Sequence, residues 1–230
     1  MGCDMSNSRH NRSVQAVVFD MDGVLFDSSE MIYRAMEDVL GERDVMGVTR
    51  EHMAAVTGKP ITEMYRLLAP GLDTDELEAA HLAHHDDNLH LLKGFDDTMP
   101  TLEYLAEQGY KLGVFTGFNH LTYDRLDQFE IRGHFDHVVE TSQYKQHKPH
   151  PEGLLLCIDR LGVKPEKTIY IGDGVSDIYS GKSAGVLSSI GITTGFGSRD
   201  TLEPAGADYI IDSLAELRGV IEELDRQNGS

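Results

Sequence analysis

The chain reads as an α/β protein, a doubly wound parallel sheet with a small block of helices inserted after its first strand. Three observations predict this. Val14 to Phe19 is an apolar, β-branched run that ends abruptly in two carboxylates, Asp20 and Asp22. From about Ser29 to Leu92 the apolar residues recur with helical spacing and no strong strand appears. After Gly94 short β-branched runs alternate with helical segments, the order that parallel strands joined by crossover helices require.

Taken in order, Val14, Ala16, Val17, Val18 and Phe19 form a run suited to a strand buried on both faces. The acids that follow stand where open α/β sheets place their ligands. Like charges a few ångströms apart repel, so a cation belongs beside them, and a hard, oxygen-preferring ion such as Mg2+ suits carboxylates. Asp-x-Asp-Gly also opens calcium loops and ordinary turns. Against the calcium loop, Val24, Leu25 and Phe26 fall where oxygen ligands are needed, and the twelfth position lacks Glu.

In the helical block, Met31, Ala35, Met36, Val39 and Leu40 share one face, and Met64, Leu67 and Leu68 another. Leu77, Ala80, Leu82, Leu89, Leu91 and Leu92 continue as a long helix whose polar side carries His81, His84, His85 and His90. His81 and His85 lie one turn apart, but no acidic or Cys ligand completes a metal motif, so these histidines read as a solvated face. Later strands are expected at Lys111 to Phe115, Val138 to Val139, Thr168 to Ile171, Leu187 to Ile192 and Tyr209 to Ile211. Helices are expected to begin near Thr98, Asn119, Pro151, Ser176 and Ser213.

A length of 230 residues suits one such domain with an insertion. The formal charge of −19 disfavours nucleic acid and anionic membrane surfaces as partners, and any phosphate site must be locally basic or metal-loaded. Cys3 and Cys157 form no disulfide framework; Cys157 reads as a buried thiol, which fits a cytoplasmic location. No apolar stretch reaches membrane-spanning length. The polar start contains a myristoylation-like pattern, with Gly2 and Ser6 and with Cys3 as a second acyl site, but Asp4 gives it no basic support. A disordered tail over residues 1–13 is the default, followed by a core of residues 14–28 and 93–230 with the helical insertion at 29–92.

Three further sites follow the later strands. Thr116 and Gly117 follow KLGVF and offer a hydroxyl and an unhindered N–H to an oxyanion. Lys148 lies within His-Lys-Pro-His-Pro, where Pro149 restricts the backbone and Pro151 can open a helix. Gly172-Asp173-Gly174-Val175-Ser176-Asp177 brings two more carboxylates to the same sheet edge. Singly these are a loop hydroxyl, a solvated lysine and helix caps; all four at carboxyl ends of strands they describe a site.

In that order, FDMDGVLFDS, FTG, HKPHP and GDGVSD resemble the four motifs of the haloacid dehalogenase superfamily of phosphotransferases, over nearly all of the chain after Val14. The helical block between the first two motifs is similar to the small cap of the phosphoglycolate phosphatase and β-phosphoglucomutase branch. The resemblance implies a Rossmann-like core and casts Asp20 as nucleophile, forming an aspartyl-phosphate. It implies Mg2+ held by Asp20, the backbone carbonyl of Asp22 and Asp173. Lys148, Thr116 and backbone groups of Met21, Asp22 and Gly117 would cradle the phosphoryl oxygens. Asp177 would orient Lys148 or a metal-bound water, and Asp22 would serve as general acid and then base.

Asp22 itself argues against two relatives, because dehalogenases have no carboxylate there and phosphonatases resemble Asp-x-Ala with a cap lysine of a different pattern. Mutases resemble DxDGVxxDTxxxH followed by GxxR in the cap. Here Ile32 stands in place of that histidine and Ile61 in place of that arginine, counted from Gly58. Gly58-Lys59-Pro60 looks more like the Gly-x-Pro loop of phosphatase caps, which makes Lys59 a candidate substrate contact. The expectation is a Mg2+-dependent phosphomonoester hydrolase of a small phosphorylated metabolite, monomeric or weakly dimeric. A sugar-phosphate mutase is the alternative enzyme, and a catalytically idle binding module the alternative from another class.

Overall fold

The structure, a computed structural model, describes residues 12–118 and 120–228. The myristoylation-like pattern and the expected helix start at Asn119 lie outside the described residues. Arg12 and Ser13, at the end of the expected tail, are held to the body: Arg12 Nη1 donates to Gln108 O at 2.9 Å and Ser13 N to Asp225 Oδ1 at 2.9 Å.

Six strands form one parallel sheet: β1 (Ala16–Phe19), β4 (Lys111–Phe115), β5 (His137–Val139), β6 (Thr168–Gly172), β7 (Ser188–Ile192) and β8 (Tyr209–Ile211). Their spatial order is β5-β4-β1-β6-β7-β8. After β1 the chain winds outward through β4 and β5, then returns to the other side of β1 at β6. That reversal is the switch point beside which open sheets bind ligands. Register sets β1 between its neighbours, Phe19 opposite Val114 on one side and Ile171 on the other.

Alternation along β1 explains the layers. Val17 and Phe19 face a core shared with Leu102 and Leu105 of α5 (Thr98–Gln108) and Leu217 and Ile221 of α10 (Leu217–Asn228). Ala16 and Val18 face Leu154, Cys157 and Ile158 of α7 (Glu152–Leu161), with Phe115 and Tyr170 between. Every residue of β1 is buried, as a central parallel strand requires. Each large apolar side chain so buried contributes about 1.5–3 kcal/mol. Burial also pushes the Cys157 thiol up to about 12, so it is an inert packing group.

The chain leaves the sheet layer through β2 (Phe26–Asp27) and returns through β3 (Lys93–Gly94), which pair antiparallel with Phe26 opposite Gly94. Between them lie α1 (Ser29–Gly41), α2 (Arg50–Ala54), α3 (Ile61–Leu68) and α4 (Thr74–Asp87). They enclose a core of their own, including Met36, Val39, Met53, Ile61, Met64, Tyr65 and Leu77. The buried face of α1 is the expected one, Met31, Ala35, Met36, Val39 and Leu40. In α3 the inward stripe is Ile61, Met64 and Tyr65, spaced at three and four, which turns Leu67 outward, 55% exposed. Asp73 caps α4, accepting from Asp75 N at 3.0 Å and Glu76 N at 3.3 Å.

The expectation of a solvated histidine face is wrong for two of its members. Leu77, His81 and His85 recur every fourth residue along the inward face of α4, and His81 and His85 are 2% and 1% exposed. Ala80 and Leu82 only pack partly against this core. His84 remains at the surface with Glu42, at 2.9 Å. Among the described residues no helix is long and apolar enough to cross a membrane.

Candidate active site

The sheet-domain loops that contribute to the site leave the carboxyl ends of strands. Asp20 follows β1, its N–H held by Ile171 O at 2.8 Å, and the turn closes with Leu25 N donating to Met21 O at 3.0 Å. Gly23 takes a left-handed φ of +72°, and a side chain there would meet Asp173 Oδ2 at 2.6 Å and Gly195 Cα at 2.7 Å. Only glycine satisfies both demands. Met21 turns its side chain into the core, fully buried, so its backbone alone is available to a ligand.

Lys148 is the electrostatic centre. Its Nζ lies 2.7 Å from Asp20 Oδ1 and 2.8 Å from Asp177 Oδ1, with its side chain only 7% exposed. The ammonium also sits over the ring of Phe115, 4.7 Å from the centroid. Asp177, in the first turn of α8 (Val175–Ala184), is held by Tyr170 OH at 2.7 Å and Gly174 N at 3.0 Å. Burial draws the Lys148 ammonium down, but Asp177 and Asp20 together outweigh it and hold the group charged. Asp20 responds mainly to burial, which pushes it up to about 7 against the pull of Lys148, with Asp177 and Asp22 adding to the rise.

Asp173 follows β6. Phe196 N donates to its Oδ2 at 2.7 Å, and a side chain at Gly195 would stand 2.0 Å from the same oxygen. The loop after β7 thus wraps the carboxylate closely. Burial, then the neighbouring Asp177 and Asp20, raise Asp173 well above the usual carboxylate range. Asp20, Asp173 and Asp177 can each bring a carboxylate oxygen within 4.8 Å of the others, and all three are buried. Three buried carboxylates against one lysine make a donor set of hard oxygens with negative charge to spare. That set fits Mg2+.

Thr116 and Gly117 line the same cleft, and Thr116 is 1% exposed, its Oγ1 accepting from Phe118 N at 3.2 Å. Tyr144 OH donates to Thr116 O at 3.0 Å and braces the loop from beneath. Of the residues expected in the core site, Asp20, Asp22, Thr116, Gly117, Lys148, Asp173 and Asp177 all border one cleft of about 500 Å³. Lys59 reaches it from the helical insertion, at the mouth, where it pairs with Glu63 at 3.1 Å.

Asp22 carries a partner that sequence reasoning did not anticipate. Arg125 of α6 (Thr122–Gln128), fully buried, donates from Nη1 to Asp22 Oδ1 at 2.7 Å. Its guanidinium lies between Phe26 and Phe118, 5.7 and 5.3 Å from the ring centroids. A signal was present: Leu121, Arg125 and Phe129 recur every fourth residue, which places the arginine on an apolar face. The Thr194-Gly195-Phe196-Gly197 loop was missed too, although it follows a strand end as the other site loops do.

Residues 17–190 match the model of the haloacid dehalogenase-like hydrolase family. A protein of known structure from Bacteroides fragilis, assigned as a haloacid dehalogenase-like hydrolase, is 31% identical, with a TM-score of 0.80 over 89% of this chain and 99% of its own. Pyrophosphatase PpaX of Anoxybacillus flavithermus is 27% identical over 213 residues, 91% of this chain and 97% of the relative. β-Phosphoglucomutase of Clostridium difficile, 19% identical, shares the fold with a TM-score of 0.81 over 93% of this chain and 98% of its own. This chain belongs to the haloacid dehalogenase-like hydrolases, with an inserted helical region consistent with the cap of that superfamily.

Proposed function

We propose that this hydrolase is a Mg2+-dependent phosphatase that acts on a small phosphorylated metabolite by way of an aspartyl-phosphate at Asp20. The observation that carries this is the placement of Asp20 against Lys148 at 2.7 Å, with Asp173 and Asp177 in the same buried group. A carboxylate attacks a charged phosphorus poorly unless the repulsion between them is neutralised. Asp20 and Asp173, with the backbone carbonyl of Asp22, would hold the ion, and Asp177 stands in the same group. Bound there, Mg2+ supplies charge neutralisation and alignment of the phosphoryl oxygens.

This chain's own residues do the rest. Asp20 Oδ attacks phosphorus while the ester oxygen leaves on the opposite side. Lys148 and the Thr116 hydroxyl donate to the equatorial oxygens, aided by backbone groups of Met21 and Gly117. Asp22 gives its proton to the leaving oxygen and then withdraws one from the water that attacks the aspartyl-phosphate. Arg125 fixes the position of the Asp22 carboxylate. Lys59 would meet the outer end of the substrate, and the helical insertion would cover the site and exclude bulk water. The enzyme is proposed to work in the cytoplasm as a monomer or weak dimer.

Hydrolysis is preferred to mutation because Ile32 and Ile61, both lining the cleft, cannot grip a second phosphate as an arginine would. Phosphate release measured across phosphorylated metabolites and pyrophosphate, with Mg2+ and with chelator, tests the reading. Mg2+-dependent release is expected. Full turnover in chelator would refute it, and so would conversion of β-glucose 1-phosphate with a trace of the 1,6-bisphosphate to glucose 6-phosphate faster than phosphate appears.

A further inference from the structure

The half of the cleft beyond the phosphoryl site has a composition that bears on what the enzyme accepts. Its walls include Ile32, Ala54, Ile61, Met64 and Phe118. Among the described residues the cations lining the whole cleft are Lys148 and Lys59. Lys148 stands at the phosphoryl end, against Asp20 and Asp177, and Lys59 at the mouth, against Glu63, so the apolar wall between them, with Ile61 and Met64, carries no cation among the described residues. The polar groups on this wall include two imidazoles. His81 Nδ1 is hydrogen-bonded to Tyr65 OH at 2.9 Å, and His85 Nδ1 is buried with no hydrogen-bond partner among the described residues.

Both rings are kept neutral. Burial lowers His81 to about 4, and burial first, then the Arg125 guanidinium, lower His85 to about 2. An anionic group placed here would lose its hydration and meet no cation on the wall itself, since Arg125, the nearest guanidinium, is fully buried behind it and paired with Asp22 at 2.7 Å. A formal charge of −19 on the chain adds long-range repulsion toward each extra negative charge on a ligand. An uncharged, largely apolar group would instead be stabilised by its own burial.

Resting on the phosphatase reading above, we infer that the preferred substrates are phosphate monoesters of uncharged, largely apolar alcohols. Esters whose leaving group carries a second anion, a carboxylate or a phosphate, are selected against. The pyrophosphatase activity in the name of the Anoxybacillus relative is therefore not expected to be this chain's best reaction.

The test compares kcat/KM, with saturating Mg2+, for benzyl phosphate, phosphoglycolate, glucose 1,6-bisphosphate and pyrophosphate. Benzyl phosphate should exceed each anionic substrate at least tenfold. Ala55→Lys places a cation at an exposed position that lines the cleft. It should move the ratio of phosphoglycolate to benzyl phosphate at least tenfold toward phosphoglycolate. Equal or higher kcat/KM for an anionic substrate in the unmodified protein overturns this inference and leaves the phosphatase reading standing. Absence of Mg2+-dependent phosphate release from every ester, p-nitrophenyl phosphate included, overturns the phosphatase reading and this inference with it.

Discussion

Replacing Lys148 with Met removes the ammonium between Asp20 and Asp177, at 2.7 and 2.8 Å, while keeping most of its buried stem. At an effective dielectric constant near 20, each contact is worth roughly 6 kcal/mol of gross attraction. Much of that offsets the desolvation of the ions, so the net cost of stranding the carboxylates is about 3–5 kcal/mol. For a protein of this size, such a loss lowers Tm by roughly 6–20 °C. The strand ends themselves are unchanged, so the fold should persist. Thermal unfolding of Lys148→Met and the parent chain in chelator at pH 7.5 measures this directly. Mg2+ at a hundredfold excess over its Kd should then return about 2.7 kcal/mol, and more of the variant's deficit than of the parent's stability should depend on it. Turnover should fall about 10²- to 10³-fold, as when one aligned donor to a developing charge is lost. A variant within about 2 °C of the parent in chelator would show that Lys148 does not balance buried carboxylates.

Other outcomes follow from the same geometry. Asp22→Asn should impair hydrolysis of alkyl phosphates at least 10²-fold yet still release nitrophenolate in a stoichiometric burst, because that leaving group needs no proton; unchanged steady-state turnover of alkyl phosphates would refute the acid–base role. Lys59→Ala should alter the ranking of substrates by kcat/KM, and an unchanged ranking would make Lys59 a surface lysine only. The neutral, buried His81 and His85 contribute stability that is complete above about pH 6.5, where the unfolded chain also holds them neutral. That stability is lost as pH falls toward about 4, since the unfolded chain takes up protons the folded one refuses. Asp20 and Asp173, raised in the folded state, act in the opposite direction when no metal is bound. The measurement is therefore a difference: urea unfolding of the parent and His85→Phe at pH 7.5 and 5 with saturating Mg2+. The parent should lose on the order of 2 kcal/mol more than the variant over that interval, and equal losses would refute it.

How far the sequence revealed the site depended on which interactions are local. Asp20, Lys148 and Asp173 were legible because each follows a β-branched run, and a parallel sheet brings all its strand ends to one edge. The inward face of α1 was legible for a similar reason, since the helical period alone selects Met31, Ala35 and Met36. Arg125 was not, because its burial depends on a carboxylate 103 positions earlier and on two aromatic rings from separate segments. His81 and His85 were misjudged because polarity was weighed above position. Their fourfold spacing from Leu77 places them inward, and Tyr65 satisfies one of them where a solvated face would have used water. The glycines around Asp173 become intelligible only once the β7 loop is seen closing on it.

Chemical trapping at Asp20 tests the central claim most directly. Asp22→Asn is mixed with p-nitrophenyl phosphate and Mg2+, quenched in acid, digested, and the peptide bearing Asp20 is weighed. A phosphoryl adduct on Asp20, absent in chelator and in the Asp20→Asn variant, is the predicted result. Mg2+-dependent nitrophenolate release with no adduct there, or undiminished turnover by Asp20→Asn, would contradict it.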